Sequence, residues 1–351
     1  MIKTELEKLL SKHAKNFKTL QFGCHIPEMD IEYHYSSSDS NQLFHSASVG
    51  KLMTASLVFL AIEKGLLQLD SPISTILDRD TLDGLFVVDG QDFQDQATIR
   101  HLLGHTSGIN DYFESKTIDG SSFIDDVLRD QDTLWAPSDL LDFTRSRQQA
   151  IAQPGQKFLY SDTGYILLGL VIEKVFGMPF FKALENFIFK PVDMSDSGLS
   201  FYSPGFDQSK LAPMYINGVD VHLFKSLSCD FSGGGIYTTT NDLLKFIRAF
   251  YQEDIITQAS INQMASFDNR FHVGLYYGLG MMQARFKEFF FLLKHLPTLQ
   301  GHIGVSGAHI WYDPISKLSL TLNVGNAKDM AKSFRLLIKI MQLLHKARKS
   351  K

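Results

Sequence analysis

The stretch from Ser46 to Asp70 constrains the fold more than any other part of the chain. Between Leu52 and Ile62 it carries no charged residue, and its apolar side chains fall on every face of the helix that their spacing predicts. A helix that is apolar all round is buried on all sides, and Gly65 suits the left-handed position just past a helix C-terminus. We therefore predict a central helix that begins near Ser48 and is enclosed by the core.

Ser48 and Lys51 lie at the open end of this helix, three residues apart, so their side chains leave the same face. A serine hydroxyl is a weak nucleophile until a base takes its proton, and a partly desolvated lysine can serve as that base. The N–H groups at a helix N-terminus favour negative charge on a bound acyl oxygen. The alternative is structural, with Ser48 as a helix cap and Lys51 solvated. The chain holds one Ser-x-x-Lys spacing, and its position favours the chemical interpretation.

Strand-like segments lie near both ends of the chain, with mostly helical segments between them. The pattern predicts helices over 1–17, 165–176 and 329–345, a hairpin over 20–24 and 31–35, and strands over 276–286, 289–294, 308–312 and 318–324. We also expect Asn241 or Asp242 to cap a helix that runs to about Phe250. The fold class is therefore α+β, with an antiparallel sheet made from both termini. We predict a sheet region of residues 1–75 and 225–351, a helical region of residues 76–224, and an active-site cleft between them.

The overall charge of the chain limits its partners. The 34 Lys and Arg residues against 38 Asp and Glu residues give a net charge of -4, and the sequence shows no basic stripe beyond the run His345–Lys351. We interpret that run as a solvated helix end, so we expect no nucleic-acid partner. Cys24 and Cys229 are too few for a disulfide framework or a cysteine-based zinc site.

The N-terminal sequence MIKTELEKLLSKHAKNF mixes lysine and glutamate through every turn, unlike a secretory signal. No segment approaches the roughly eighteen apolar residues that a membrane span needs. As given, the chain is expected to be cytoplasmic, without a membrane span. A trimmed signal peptide would leave the same pattern, and the protein would then be secreted or periplasmic.

Three other stretches concentrate reactive groups. In FLYSDTGYILLG, Tyr160 precedes a helix and could carry a proton; the alternative is a tyrosine packed on the core, with Asp162 or Thr163 as the helix cap. In GHIGVSG, which we expect to open a strand, glycines allow backbone to approach a ligand closely. In HLLGHTSG, two histidines four residues apart match a zinc spacing, but no Glu follows His101 and no other cluster completes the coordination, so we predict no metal site.

Taken together, these stretches resemble the serine β-lactamase and penicillin-binding-protein superfamily, most closely its class C β-lactamase-like branch. The Ser-x-x-Lys element is SVGK. It is followed in order by GLLQLDSPIS, IRHLLGHTSGI, PGQKFLYSDTGYILLGLVIEKVFG, FKPVDMSDSG, FSGGGIYTTTNDLLKF, YYGLGM and GHIGVSG. The resemblance runs from about Phe22 to Asn326 and implies the β-lactamase/transpeptidase-like fold, an antiparallel sheet flanked by helices with an inserted helical subdomain.

The resemblance implies a role for each matching residue. Ser48 would be the acylated nucleophile, Lys51 its proton acceptor and Tyr160 the second base. The backbone N–H groups of Ser48 and Val305 would form the oxyanion hole, and the family's substrate-binding positions are held by Asp162, His302 and Gly304. No metal or cofactor is implied.

Two of these positions depart from the family pattern. Asp162 replaces the usual Asn, and a carboxylate cannot donate to a substrate amide. His302 replaces a lysine, so the cleft is less positive unless the imidazole is protonated. Both changes favour esterase or peptidase activity over β-lactamase activity.

The sequence therefore predicts a metal-independent serine hydrolase that acts through an acyl-enzyme on a small ester, amide or peptide. The loops over 111–119 and 214–227 would set its specificity, and the sequence predicts no particular oligomeric state. The alternative is a catalytically silent relative that keeps the pocket for binding or assembly.

Overall fold

The computed structural model describes residues 2–38 and 42–349. Its helices are α1 Ile2–Ala14, α2 Gly50–Glu63, α3 Arg79–Leu82, α4 Ile99–Leu103, α5 Phe123–Arg129, α6 Pro137–Arg147, α7 Asp162–Phe176, α8 Phe180–Leu184, α9 Phe231–Gly234, α10 Thr240–Tyr251, α11 Gln258–Met264, α12 Phe286–Phe289 and α13 Met330–Lys349. Its strands are β1 Gln21–Ile26, β2 Ile31–Ser36, β3 Phe44–His45, β4 Val87–Val88, β5 Gln91–Asp92, β6 Gly198–Leu199, β7 Tyr215–Ile216, β8 Val219–Asp220, β9 Ile236–Thr238, β10 Asn269–His272, β11 Leu275–Tyr277, β12 Met282–Ala284, β13 Leu299–Ile303, β14 His309–Tyr312 and β15 Ser319–Asn323.

The main sheet has eight antiparallel strands in the order β10-β11-β12-β13-β14-β15-β1-β2. The two ends of the chain meet where β1 pairs with β15, with Gln21 opposite Asn323. The predicted fold class is confirmed, and so is the hairpin over β1 and β2. The boundaries of the two predicted regions stay a prediction.

Helices cover both faces of this sheet. Successive side chains on a strand point to opposite faces, so Trp311 packs with α1 and α13 whereas Ile310 and Tyr312 pack in the larger core with α2, α7 and α10. Helix α2 lies inside this larger core, and every residue from Gly50 to Phe59 is buried. The predicted central helix is therefore confirmed, with Gly65 in the left-handed conformation (φ +70°) just past its end.

Some local predictions were wrong. Residues 289–294 form no strand: α12 and a 3₁₀ turn at Phe291–Leu293 occupy this segment, because five apolar residues in a row carry no period that separates a strand from a helical turn. The predicted strand over 276–286 is two strands, β11 and β12, with Gly280 between them at φ +79°. Thr239 caps α10, in place of Asn241 or Asp242.

Within the described ranges, no single helix has both the length and the apolar composition of a membrane span. The helical segments Asp162–Phe176 and Phe180–Phe189, bent by 75° to one another, meet those two criteria only when they are taken together.

Candidate active site

The turn before α2 positions Ser48. Ala47 has a left-handed backbone (φ +47°), which is unfavourable for a residue with a side chain. Its N–H donates to His45 Nδ1 at 3.1 Å, and His45 Nε2 lies 3.6 Å from Asp230 Oδ2. Burial lowers the pKa of His45 to about 4, so a neutral imidazole accepts this hydrogen bond at neutral pH. The strained turn is thus held by a buried side chain that the sequence analysis did not single out.

Lys51 lies one helical turn further on, fully buried. Its Nζ is 3.1 Å from Ser48 Oγ and donates to Gly233 O at 2.6 Å and to the Asp162 carboxylate. These three acceptors match the three N–H bonds of an ammonium group. The structure therefore brings Ser48 and Lys51 together, as the sequence predicts, and fixes the amine from three sides.

Tyr160 precedes α7 and faces the same hydroxyl. Burial raises the pKa of Tyr160 well above its usual value of 10, the charge of Asp162 acts in the same direction, and a hydrogen bond with Ser48 opposes both. Lys51 Nζ lies 5.0 Å from the centroid of the Tyr160 ring. The hydroxyl, the amine and the phenol thus meet in one place. The cap of α7 is Ser161, not Asp162 or Thr163.

His105 holds the segment that carries Tyr160. Its backbone oxygen accepts the Leu159 N–H at 2.9 Å, and its Nδ1 accepts the Ser161 N–H at 3.0 Å. Its ring lies 4.3 Å from the Tyr160 ring, centroid to centroid. The residues on both sides of Tyr160 are therefore bonded to one buried histidine. His101 Nδ1 likewise accepts a backbone N–H, that of Thr98, so both histidines of HLLGHTSG serve local structure.

The end of β13 forms the third wall. A Cβ on Gly304 would lie 2.7 Å from Ser46 O and 3.2 Å from Ser48 N, so only glycine allows this approach. Among the described residues, the N–H groups of Ser48 and Val305 have no hydrogen-bond acceptor. Two unpaired donors beside a nucleophile are what an oxyanion hole needs.

The structure gives the three predicted substrate-binding residues contacts within the protein. Gly304 donates its N–H to Ala308 O and accepts the Gly307 N–H, so its backbone is engaged. His302 is fully buried, bonded to Tyr277 Oη and Ile303 O, and burial lowers its pKa to about 3. The substrate-binding roles of His302 and Gly304 stay predictions, since strand position alone does not show which side chains reach the cleft. GHIGVSG also ends a strand, β13, instead of opening one.

Asp162 is the third of these residues, and its side chain contacts Lys51. It is buried and holds Lys51, and the set of residues that line the cleft does not include it. Its N–H donates to Asp111 Oδ1 at 2.8 Å. In the site, Asp162 is therefore the carboxylate partner of the Lys51 amine.

A cleft of about 210 Å³ opens above Ser48 and Tyr160. Its other lining residues are Glu114, Phe271, Met282, Ile303, Val305, Ala327 and Met330. Glu114 is the only charged residue in this set, and burial followed by the charge of Asp162 raises its pKa. The sequence analysis named the loop over 111–119 as a specificity element but did not single out its carboxylate.

Further carboxyl groups lie close behind the cleft. Burial, followed by the charge of the neighbouring Asp162, raises the pKa of both Asp111 and Asp230 to about 7. Asp111 Oδ2 also accepts the Glu114 N–H at 2.6 Å. The surroundings of Lys51 are therefore rich in acidic groups, two of which the fold holds towards the neutral form.

The family of the chain follows from a sequence comparison. The family model described as Beta-lactamase matches residues 32–339, and the chain belongs to this family. Its similarity to penicillin-binding protein 4* of Bacillus subtilis (strain 168) is 28% identity over 255 residues, 66% of this chain and 52% of that protein. Esterase EstB of Burkholderia gladioli is 28% identical over 237 residues, 59% of this chain and 56% of that protein. The chain spans about half the length of these curated relatives.

Solved structures show the same fold along the whole chain. The D-amino acid amidase of Ochrobactrum anthropi SV3 superposes with a TM-score of 0.82 at 21% identity, over 99% of both chains. EstCE1, a hydrolase with promiscuous acyltransferase activity, gives a TM-score of 0.76 at 19% identity over 98% of both. At these identities the likeness shows the fold alone.

Proposed function

We propose that this protein is a serine hydrolase that cleaves small amides or esters through an acyl-enzyme. The observation that carries this proposal is the approach of Lys51 Nζ to Ser48 Oγ at 3.1 Å, with Tyr160 beside Ser48 in the lining of the same cleft. Ser48 attacks the substrate carbonyl, and the N–H groups of Ser48 and Val305 stabilise the oxyanion. Water then releases the acid and regenerates Ser48.

The proton leaves Ser48 by way of Lys51. Three acceptors surround the amine, so it must first give up a proton, and Asp162 is in direct contact to take it. Proton transfer across this pair produces a neutral amine and a neutral carboxyl group, and the amine then accepts the Ser48 proton. Tyr160 stays a neutral phenol at neutral pH, since its pKa is raised, and it donates its proton to the leaving group. Lys51 returns that proton to Tyr160 as the ester or amide bond breaks.

Covalent labelling tests this proposal. We expect the protein to form an adduct with a fluorophosphonate, detected by intact-mass spectrometry, and we expect Ser48→Ala to form none. Ser11→Ala, on the exposed side of α1, is the matched control and should label like the wild type. A folded protein that reacts with no acylating probe and hydrolyses no p-nitrophenyl ester would contradict the proposal, and the silent relative would then be the better interpretation.

We further infer that the preferred substrates carry a free amino group near the scissile bond. The cleft presents Glu114 and neither lysine, arginine nor histidine in its described lining, and His302 is buried and neutral. Nothing in this lining pairs with the carboxylate of a penicillin or of a peptide C-terminus, whereas an ammonium group can pair with Glu114. The D-amino acid amidase among the structural neighbours supports an amino acid amide as substrate.

Paired substrates test the role of Glu114. We expect phenylalanine amide to be cleaved at least tenfold faster, in kcat/KM, than its N-acetyl derivative, since one charge-assisted hydrogen bond contributes about 1.5–3 kcal/mol. Glu114→Gln should abolish this preference and leave hydrolysis of p-nitrophenyl butyrate nearly unchanged. A preference that persists in Glu114→Gln would show that another group binds the amine.

A further inference from the structure

The outer face of α13 carries a row of positive charge that is not evident from the overall charge of the chain. Lys332, Arg335 and Lys339 recur at helical spacing and are exposed, and residues 330–351 contain neither aspartate nor glutamate. Lys332 pairs with Asp329 just before the helix. Among the described residues, Arg335 has no carboxylate partner.

The C-terminal end of α1 adds to this charge. A cleft of about 240 Å³ between the two helices is lined by His13, Asn16, Phe17, Lys332, Arg335, Leu336 and Lys339, with no acidic side chain in this set. Lys339 Nζ lies only 3.2 Å from His13 Nε2. Burial, followed by Lys339 and the lysines next to His13 in sequence, lowers the pKa of His13. Lys339 therefore donates to a neutral imidazole, and among the described residues its positive charge has no carboxylate partner.

Apolar side chains lie along the other flank of α13. Phe290, Phe291 and Leu292 are consecutive and exposed by 52%, 67% and 56%. Their loop is anchored to the helix at both ends, because Phe289 packs against Phe334 and the His295 ring lies 4.9 Å from the His345 ring. Lys287 and Lys294 flank the loop and are exposed.

We propose that α13, the end of α1 and the loop over 290–292 form a docking surface for an anionic phospholipid membrane. Lysine and arginine next to exposed aromatic and aliphatic side chains suit the boundary between headgroups and acyl chains. The basic cleft accepts a lipid phosphate, and the loop inserts beside it. Met330, which lines the catalytic cleft, is on the first turn of the same helix, so docking holds the active site next to the membrane.

Vesicle sedimentation tests the proposal with the full chain. We expect it to sediment with phosphatidylcholine vesicles that contain phosphatidylglycerol, much less with phosphatidylcholine alone, and less at high salt. Arg335→Gln and Lys339→Gln should each lower the partition coefficient about fivefold, and Phe291→Ser about tenfold or more. Leu134→Ser is the matched control, because Leu134 is 59% exposed and lies outside this surface.

All four variants should keep the wild-type rate on a soluble p-nitrophenyl ester, because none of these four residues lines the catalytic cleft over Ser48 and Tyr160. The proposal is overturned if anionic vesicles do not sediment the protein, or if none of the three surface variants weakens sedimentation. It is also overturned if inorganic phosphate or soluble polyphosphate binds this face while vesicles do not, since the ligand is then a soluble anion.

Discussion

The segment that carries Ser48 and Lys51 and the segment that carries Tyr160 are held by the same kind of bond in different surroundings. In each, the Nδ1 of a buried histidine accepts a backbone N–H next to the reactive residue: His45 from Ala47, and His105 from Ser161. His45 has a carboxyl group beside its other nitrogen. His105 lies among the rings of three tyrosines.

The different surroundings of His45 and His105 match different requirements of the two segments. On the side of the nucleophile, charges must be kept in balance, because Lys51 and its acidic neighbours are buried together. On the side of Tyr160, the apolar rings raise the proton affinity of the phenol and keep it neutral. Changes on the first side should therefore affect both activity and stability, whereas changes on the second should affect mainly activity.

Lys51→Met gives the largest expected effect. We expect kcat/KM to fall about a thousandfold or more, because the proton acceptor for Ser48 is lost. The free energy of unfolding should fall by about 3–5 kcal/mol, since Asp162 stays buried without a counter-ion. Adding Asp162→Asn to this variant removes the unpaired charge and should restore stability without restoring activity, as measured by urea unfolding and ester hydrolysis. Recovery of activity in the double variant would contradict the role of Lys51.

Tyr160→Phe should lower kcat/KM about a hundredfold, within the usual range for one proton donor. The ring contact with His105 remains, so the free energy of unfolding should change by less than about 0.5 kcal/mol. The loss in kcat/KM should be smaller for a p-nitrophenyl ester than for an amide, because p-nitrophenolate is a very good leaving group and leaves without a proton. Equal losses for both substrates would place Tyr160 outside leaving-group protonation.

The sequence predicted the reactive residues Ser48 and Lys51 better than the buried residues that hold the site in place. Ser48 and Lys51 are one turn apart on a helix with a clear apolar pattern, so their meeting follows from local geometry. The sequence offered Tyr160 as a proton carrier, but its place beside Ser48 was predicted only from the resemblance of its segment to a family motif. The contacts of His45 with Asp230 and of His105 with Ser161 are long-range, and a motif carries no information about which buried nitrogen faces which group. The burial of His302 was not predictable for the same reason, since its depth depends on packing against Tyr277.

Substitutions at His105 test whether its acceptor nitrogen positions Tyr160. His105 has a left-handed backbone (φ +57°), which asparagine tolerates better than other residues with a side chain. We expect His105→Asn, whose oxygen can accept the Ser161 N–H, to retain more activity than His105→Gly, which suits the backbone but has no acceptor. The glycine variant should lose about tenfold in kcat with little change in KM. Equal activity of the two variants would show that the backbone, not the acceptor, matters at this position.

Asp230→Asn gives the smallest effect on activity and tests the charge balance beside His45. The folded-state pKa of Asp230 is about 7, raised from 3.8 by burial, so the folded protein favours the neutral carboxyl group. That contribution to stability is complete below about pH 4 and is lost as the pH rises through 7. Asparagine does not titrate. The variant should therefore gain stability over the wild type as the pH rises from about 4 to 7, by at most about 4 kcal/mol, and the difference should then level off. Urea unfolding across this range measures the difference, and a constant difference would mean that Asp230 is ionised in the fold and that His45 Nε2 faces a carboxylate.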